Sequence, residues 1–127
     1  MITVERVTRT FETPTGDFTA VRDVSFRVAA GRFVSLVGPS GCGKTTLLGM
    51  IAGLVPVSEG RILLGDRVVA GGVPPDIGYL FQRDALLPWK TALQNVALPL
   101  TIRSRPGAET RSRASEWLRR VGLAGFE

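Results

Sequence analysis

The sequence predicts an α/β fold built around a glycine-rich phosphate-binding loop, and three observations support that prediction. Residues 38–45 (GPSGCGKT) match the pattern G-x-x-x-x-G-K-[ST] at every fixed position. Residues 33–37 form a short, mostly apolar run directly before the loop, as a buried strand of a parallel sheet would. Residues 45–54 follow with Leu47, Leu48, Ile51 and Leu54 at helical spacing, so we expect a helix with one apolar face on that sheet.

The residue types in this loop suit the binding of a nucleoside triphosphate together with Mg²⁺. Gly38, Gly41 and Gly43 are predicted to take positive φ and to leave space for phosphates, which the loop amides and the helix N-terminus would bind. Lys44 is predicted to reach the β- and γ-phosphates, and the Thr45 hydroxyl to ligate Mg²⁺. The other predicted cradle residues are Pro39, Ser40, Cys42 and Thr46. A glycine-rich turn with a surface lysine is the structural alternative.

Composition narrows the class of protein. A chain of 127 residues with 44% apolar content supports one ordinary domain. Its single cysteine excludes an internal disulfide and suits a reducing compartment. We interpret Cys42 as a small loop residue and not a nucleophile, because the chain has no His to act as its base. The first residues lack the apolar core of a signal peptide, and no apolar run is long enough to span a membrane.

The net charge of +5 is concentrated in arginines of the C-terminal quarter. A nucleic-acid patch and the solvated face of a helix are the two interpretations. Trp117 is the only aromatic residue among these arginines, so bases would have no stacking platform, and we predict no nucleic-acid partner.

The sequence pattern divides the chain into four predicted parts. Residues 1–31 are an antiparallel β-region with strands at 2–11 and 18–28, and residues 32–56 are the loop strand and its helix. Residues 57–82 hold a hairpin turning at Gly65-Asp66 and a buried strand at 77–81 that ends at Gln82. Residues 83–127 hold one helix from 91 to Pro99 and another at 108–121. That second helix has an apolar face of Ala114, Trp117, Leu118 and Val121. Because Asp66 lies in a hairpin turn, we reject it as a metal-binding aspartate at a strand end.

Together these motifs resemble the ATP-binding subunit of ABC transporters. The resemblance is carried by an aromatic residue after the first strand, the phosphate loop, the SEGRI hairpin at 58–62 and the segments GYLFQ at 78–82 and DALLPW at 84–89. Residues 81–89 look most like importers of nitrate, sulfonate or taurine. The resemblance implies a P-loop NTPase fold, with an ABC-type RecA-like core and an antiparallel β-subdomain, incomplete and ending within the helical subdomain.

The resemblance also implies roles for individual residues and partners. Phe11 corresponds to the aromatic that stacks on adenine, with a core aromatic at a strand end as the alternative. Gln82 corresponds to the catalytic glutamine that contacts Mg²⁺ and the attacking water, with a strand cap as the alternative. Residues 82–89 would meet a transmembrane permease subunit, although local packing of Trp89 is also possible. A second ATP-binding subunit would complete a dimer, located in the cytoplasm on the inner face of the membrane.

Several groups that the family uses for hydrolysis do not occur in this sequence. They are a Walker B aspartate with its neighbouring glutamate, an LSGGQ-type signature and a switch histidine. We therefore expect the isolated chain to be inactive and, with unpaired sheet edges, of low stability. A fragment, a truncated reading frame and a genuinely short protein are the three explanations. A nucleotide-binding module without turnover, or another P-loop NTPase, remains an alternative function.

Overall fold

The computed structural model describes residues 1–83, 85–103 and 107–127 and shows two compact units. The first unit is Met1–Tyr79 and the second is Leu80–Glu127. The elements are, in chain order, β1 (Ile2–Phe11), β2 (Phe18–Val28), α1 (Lys44–Ile51), β3 (Glu59–Leu64), β4 (Arg67–Val68), α2 (Ala92–Ile102) and α3 (Gly107–Arg120). The four-part division of the sequence stays a prediction.

The first unit contains a four-stranded antiparallel sheet in the order β2-β1-β3-β4. On β1, Val4 pairs with Phe26 of β2 on one side and with Ile62 of β3 on the other. The Gly65-Asp66 turn joins β3 to β4, with Leu64 opposite Arg67. The predicted antiparallel region and the predicted hairpin are therefore both present, and Asp66 lies in a turn as expected.

Helix α1 and the sheet form the core of the first unit. Leu47 and Met50 of the helix are buried with four residues of the sheet, Val4, Val7, Val21 and Ile62. The predicted apolar face of the helix is thus partly wrong, because Leu48 and Leu54 are exposed. The helix packs on the antiparallel sheet, and this contact buries Leu47 and Met50, whereas Leu48 and Leu54 stay exposed.

Neither predicted strand of a parallel sheet is formed. Residues 33–37 and 77–81 have no strand structure, and no described strand pairs with either segment. Phe33 is 94% exposed and Val37 is 92% exposed, so the apolar run before the loop is not buried. A strand satisfies its backbone by pairing with a neighbouring strand, and the strand order of the described residues includes neither run.

The second unit contains α2 and α3, which contact each other. We expected α2 to end at Pro99, but it runs to Ile102 with Pro99 inside it. The Arg103 N–H donates to the Pro99 carbonyl at 3.3 Å, so the final turn closes beyond the proline.

Helix α3 lies within one residue of its predicted bounds, but only part of its predicted face is buried. Ala114 and Leu118 are buried, together with Thr110, whereas Trp117 and Val121 are exposed. The buried positions therefore recur every four residues along one narrow stripe. Among the helices of the described ranges, none has the length and apolar character needed to cross a bilayer.

Candidate phosphate-binding site

The phosphate loop ends where α1 begins, and that junction suits an anion. Gly43 caps the helix with φ 92° and ψ 5°, and no side chain bonds the first-turn amides. The first turn also carries no acidic residue that would repel a phosphate. No side-chain cap therefore competes with an anion for the N-terminal N–H groups and the partial positive charge of the helix.

Two of the three loop glycines have a left-handed backbone conformation, which favours glycine. Gly41 and Gly43 have φ of 80° and 92°, in the left-handed region, whereas Gly38 does not have positive φ. The predicted positive φ of Gly38 is therefore wrong, and a Cβ there would lie 2.9 Å from Cys42 Sγ, a side-chain atom that can rotate away. At Gly43 a Cβ would lie 2.4 Å from the Ala20 carbonyl oxygen of β2. Gly43 is thus restricted by both conformation and the neighbouring strand.

The Lys44 ammonium group lies over its own loop. Its Nζ donates to the carbonyl oxygens of Gly38 at 2.8 Å and Pro39 at 2.6 Å, and it lies 3.5 Å from Cys42 Sγ. An ammonium has three donors, so it can exchange these carbonyls for phosphate oxygens without leaving the loop. The position of Lys44 fits an anion bound inside the curve of residues 38–43.

The remaining cradle residues surround this point. Thr45 is exposed and Thr46 half-buried in the first turn of α1, and Pro39, Ser40 and Cys42 are exposed on the loop. Thr45 offers a hydroxyl next to Lys44, which fits a single protein ligand to a phosphate-bound Mg²⁺. No group of three or more His, Cys, Asp or Glu that could hold a metal by itself occurs within residues 1–83, 85–103 and 107–127.

Phe11 lies at the end of the sheet that contacts the loop. It pairs with Phe18 on β2, and Ala20, two residues further along β2, meets Gly43. The Arg9 guanidinium carbon lies 4.4 Å from the centroid of the half-buried Phe11 ring. The guanidinium group therefore covers one face of the ring. The sequence did not indicate Arg9, because the contact depends on two side chains of one strand that meet beside the bulges in the β1–β2 pairing.

Gln82 and the segment after it belong to the second unit. Gln82 is exposed, as are Leu86 and Trp89, and Asp84 lies outside the described residues. The predicted role of Gln82 beside the phosphates stays a prediction.

Sequence reasoning also missed Asn95. Its carboxamide makes four hydrogen bonds to backbone groups of residues 87–91. A usable signal was present nearby, because Thr91 and Gln94 have the spacing of a capping box, and the structure contains both of its hydrogen bonds. Asn95 is the next residue, close enough to reach back over the same turn.

Comparisons with known proteins agree on one family. The family model described as "ABC transporter" matches residues 21–127. The taurine import ATP-binding protein TauB of Yersinia pestis bv. Antiqua (strain Antiqua) is 44% identical over 108 residues, which is 85% of this chain and 42% of that protein. The sn-glycerol-3-phosphate import ATP-binding protein UgpC of Rhizobium meliloti (strain 1021) is 43% identical over 127 residues, covering 98% of this chain and 36% of that protein.

A solved structure shows the same fold. It is the dimeric post-hydrolysis state of the ATP-binding cassette MJ0796 bound to ADP and Pi, with a TM-score of 0.80 and 34% identity. The match covers 94% of this chain and 56% of that one. The predicted P-loop NTPase fold class is therefore confirmed, and the chain spans less than two thirds of the length of each of these three proteins.

Proposed function

This chain belongs to the family of ABC transporter ATP-binding proteins, and from that premise we propose that it is the phosphate-binding half of the ATPase subunit of an importer. The observation that carries the proposal is the arrangement of Lys44 and Gly43. Gly43 caps α1 at the loop without a side-chain hydrogen bond to the first-turn amides, and the Lys44 ammonium lies over residues 38–39. Both features favour the oxygens of a triphosphate.

The proposed ligand is Mg-ATP. The loop amides and Lys44 would bind the phosphates, and the Thr45 hydroxyl would supply one ligand to Mg²⁺, which neutralises charge on the phosphate oxygens. Phe11 would offer one ring face to adenine, while Arg9 covers the other. Gln82 would contribute to the Mg²⁺ and water contacts in the intact subunit.

We propose that this chain binds Mg-ATP without hydrolysing it. The sequence contains no His and no LSGG run, and Asp66, the acidic residue that follows an apolar strand, lies in a hairpin turn. Phosphoryl transfer to water needs a carboxylate at a strand end and a group that orients the water. ATP hydrolysis above background that Lys44→Ala abolishes would contradict this proposal.

The partners follow from the same family. We propose a permease subunit as the partner of residues 82–89 and a second ATP-binding subunit as the dimer partner, with the complex on the cytoplasmic face of the membrane. Taurine, another sulfonate or nitrate is the proposed class of solute. Support comes from the residues at 87–89 and from the likeness to TauB, whereas UgpC, of similar identity, is named for a different solute.

The two lysines of the chain provide a matched test, since Lys44 lies in the loop and Lys90 in the second unit. Calorimetric titration with Mg-ATP should show that Lys44→Ala weakens binding by about 10- to 100-fold, the value of a charge-assisted hydrogen bond. Lys90→Ala removes the same charge and should bind as the unaltered chain does. Equal binding by both variants would refute the proposed function.

A further inference from the structure

The Asn95 carboxamide is bonded to both ends of the loop that precedes α2. Its Oδ1 accepts from the Leu87 N–H at 2.8 Å. Its Nδ2 has two hydrogens, which are shared among the carbonyls of Leu87 at 3.2 Å, Lys90 at 3.1 Å and Thr91 at 2.9 Å. Helical side chains lean towards the N-terminus of their helix, and Asn95 is the fourth residue of α2, so its amide lies over the first turn.

The side chains of this loop are only partly packed. Trp89 is 74% exposed, whereas Leu87 and Lys90 are half-buried. Apart from Asn95, the loop is held by the Lys90 N–H, which donates to the Leu87 carbonyl at 3.0 Å, and by the capping box that follows it. Most of the hydrogen bonds that hold the backbone of residues 87–91 therefore involve the Asn95 side chain.

We propose that Asn95 is a positioning residue, which holds residues 87–91 in one conformation and so presents Trp89 to the permease. A loop that is already ordered loses less conformational entropy when its partner binds. The identity of the partner rests on the proposed function. The order of the loop does not, because it is measured on the chain alone.

Three substitutions distinguish the effect of the carboxamide hydrogen bonds from the effects of side-chain shape, added charge and helix propensity. Asn95→Asp keeps the shape and the acceptor oxygen, but its carboxylate has no donor and faces three carbonyl oxygens. Asn95→Ala removes the group and keeps the helix, because alanine has the highest helix propensity. Gln94→Glu is the control, since it adds the same charge one residue away and retains an oxygen for the Thr91 N–H.

The readout is Trp89 fluorescence in a Trp117→Phe background, in which Trp89 is the sole indole. At pH 7, both Asn95 variants should show lower time-resolved anisotropy than the background chain, with unchanged far-UV circular dichroism, whereas Gln94→Glu should show no loss. The Leu87 amide should exchange with solvent roughly tenfold faster in both Asn95 variants, because it loses its acceptor or its fixed geometry. As the pH falls towards about 4, protonation returns one donor to Asn95→Asp, and its anisotropy alone should recover.

Three outcomes would overturn the inference. The first is background anisotropy and unchanged Leu87 exchange in both Asn95 variants. The second is an equal loss in Gln94→Glu, which would assign the effect to charge. The third is loss of loop order with undiminished co-purification of the permease by the Asn95 variants, which would remove Trp89 presentation as the role of Asn95. None of these outcomes depends on Mg-ATP binding, so they are distinguishable from failure at Lys44.

Discussion

At the scale of single residues, Gly41 and Gly43 separate two reasons for a glycine. Both have left-handed backbone, with φ of 80° and 92°. A Cβ on Gly41 would meet nothing within 4 Å, whereas one on Gly43 would lie 2.4 Å from the Ala20 carbonyl oxygen. Of these two glycines, Gly43 alone combines conformational strain with a backbone obstacle that no rotamer change can remove.

We predict that Gly41→Ala lowers the free energy of unfolding by about 1–2 kcal/mol, the cost of a left-handed non-glycine residue. Gly43→Ala should lower it by about 3 kcal/mol or more, because overlap with the strand adds to that cost. Urea denaturation followed by circular dichroism measures both values. Equal losses would show that the contact with Ala20 does not restrict the loop.

Phe11 provides a second residue-scale prediction with its neighbour Phe18 as the control. Phe11→Ala should weaken Mg-ATP binding about tenfold through the lost stacking of a base. It should not change the binding of Mg-tripolyphosphate, which has no base. Phe18→Ala alters the directly opposite, exposed ring and should affect neither ligand. Equal effects of Phe11→Ala on both ligands would contradict adenine stacking.

The site was predictable from sequence where its chemistry is local. Gly43, Lys44 and Thr45 are consecutive, and their spacing alone indicated a phosphate loop at a helix N-terminus. Arg9 was missed because its contact with Phe11 is made in the folded strand, and Asn95 was missed although the capping-box spacing of Thr91 and Gln94 marks the turn that it contacts. The carbonyl contacts of Lys44 were not foreseen either, since they depend on the curvature of the loop.

At the scale of elements, the antiparallel strands were predictable and the parallel ones were not. Strand β1 has apolar residues at positions 2, 4 and 7 and neighbours on both sides, and its pattern changes phase where the pairing with β2 shifts register. Residues 33–37 are equally apolar, but no described strand pairs with them. An apolar run indicates that a segment favours burial, whereas pairing depends on the strands that are available.

Helix α1 gives the element-scale prediction, because its two sides differ in burial. Met50 is fully buried against the sheet and Leu48 is 45% exposed. Met50→Ala should lower the free energy of unfolding by about 2–5 kcal/mol, as large-to-small core substitutions do. Leu48→Ala should cost less than about 1 kcal/mol. Thermal or urea unfolding compares them, and a larger loss at Leu48 would show that the opposite face of the helix is buried.

At the scale of the whole molecule, the first unit contains a buried core on one side of α1 and exposed apolar residues elsewhere. Phe33, Val37 and Leu48 are among the exposed ones. Exposed apolar surface favours association, and the low stability of the isolated chain stays a prediction. Two arginines of the C-terminal quarter pair with glutamates four residues earlier on α3, Arg113 with Glu109 and Arg120 with Glu116. These pairs fit the solvated helix face proposed from the sequence.

The central claim is that residues 38–45 hold the phosphates, and backbone amide NMR during titration with Mg-ATP tests it most directly. We predict saturable chemical-shift changes that are largest at the amides of Gly41, Gly43, Lys44 and Thr45. Mg-tripolyphosphate should produce shift changes at the same amides. Shifts that are largest in α3, or an absence of saturable shifts in the loop, would contradict the claim.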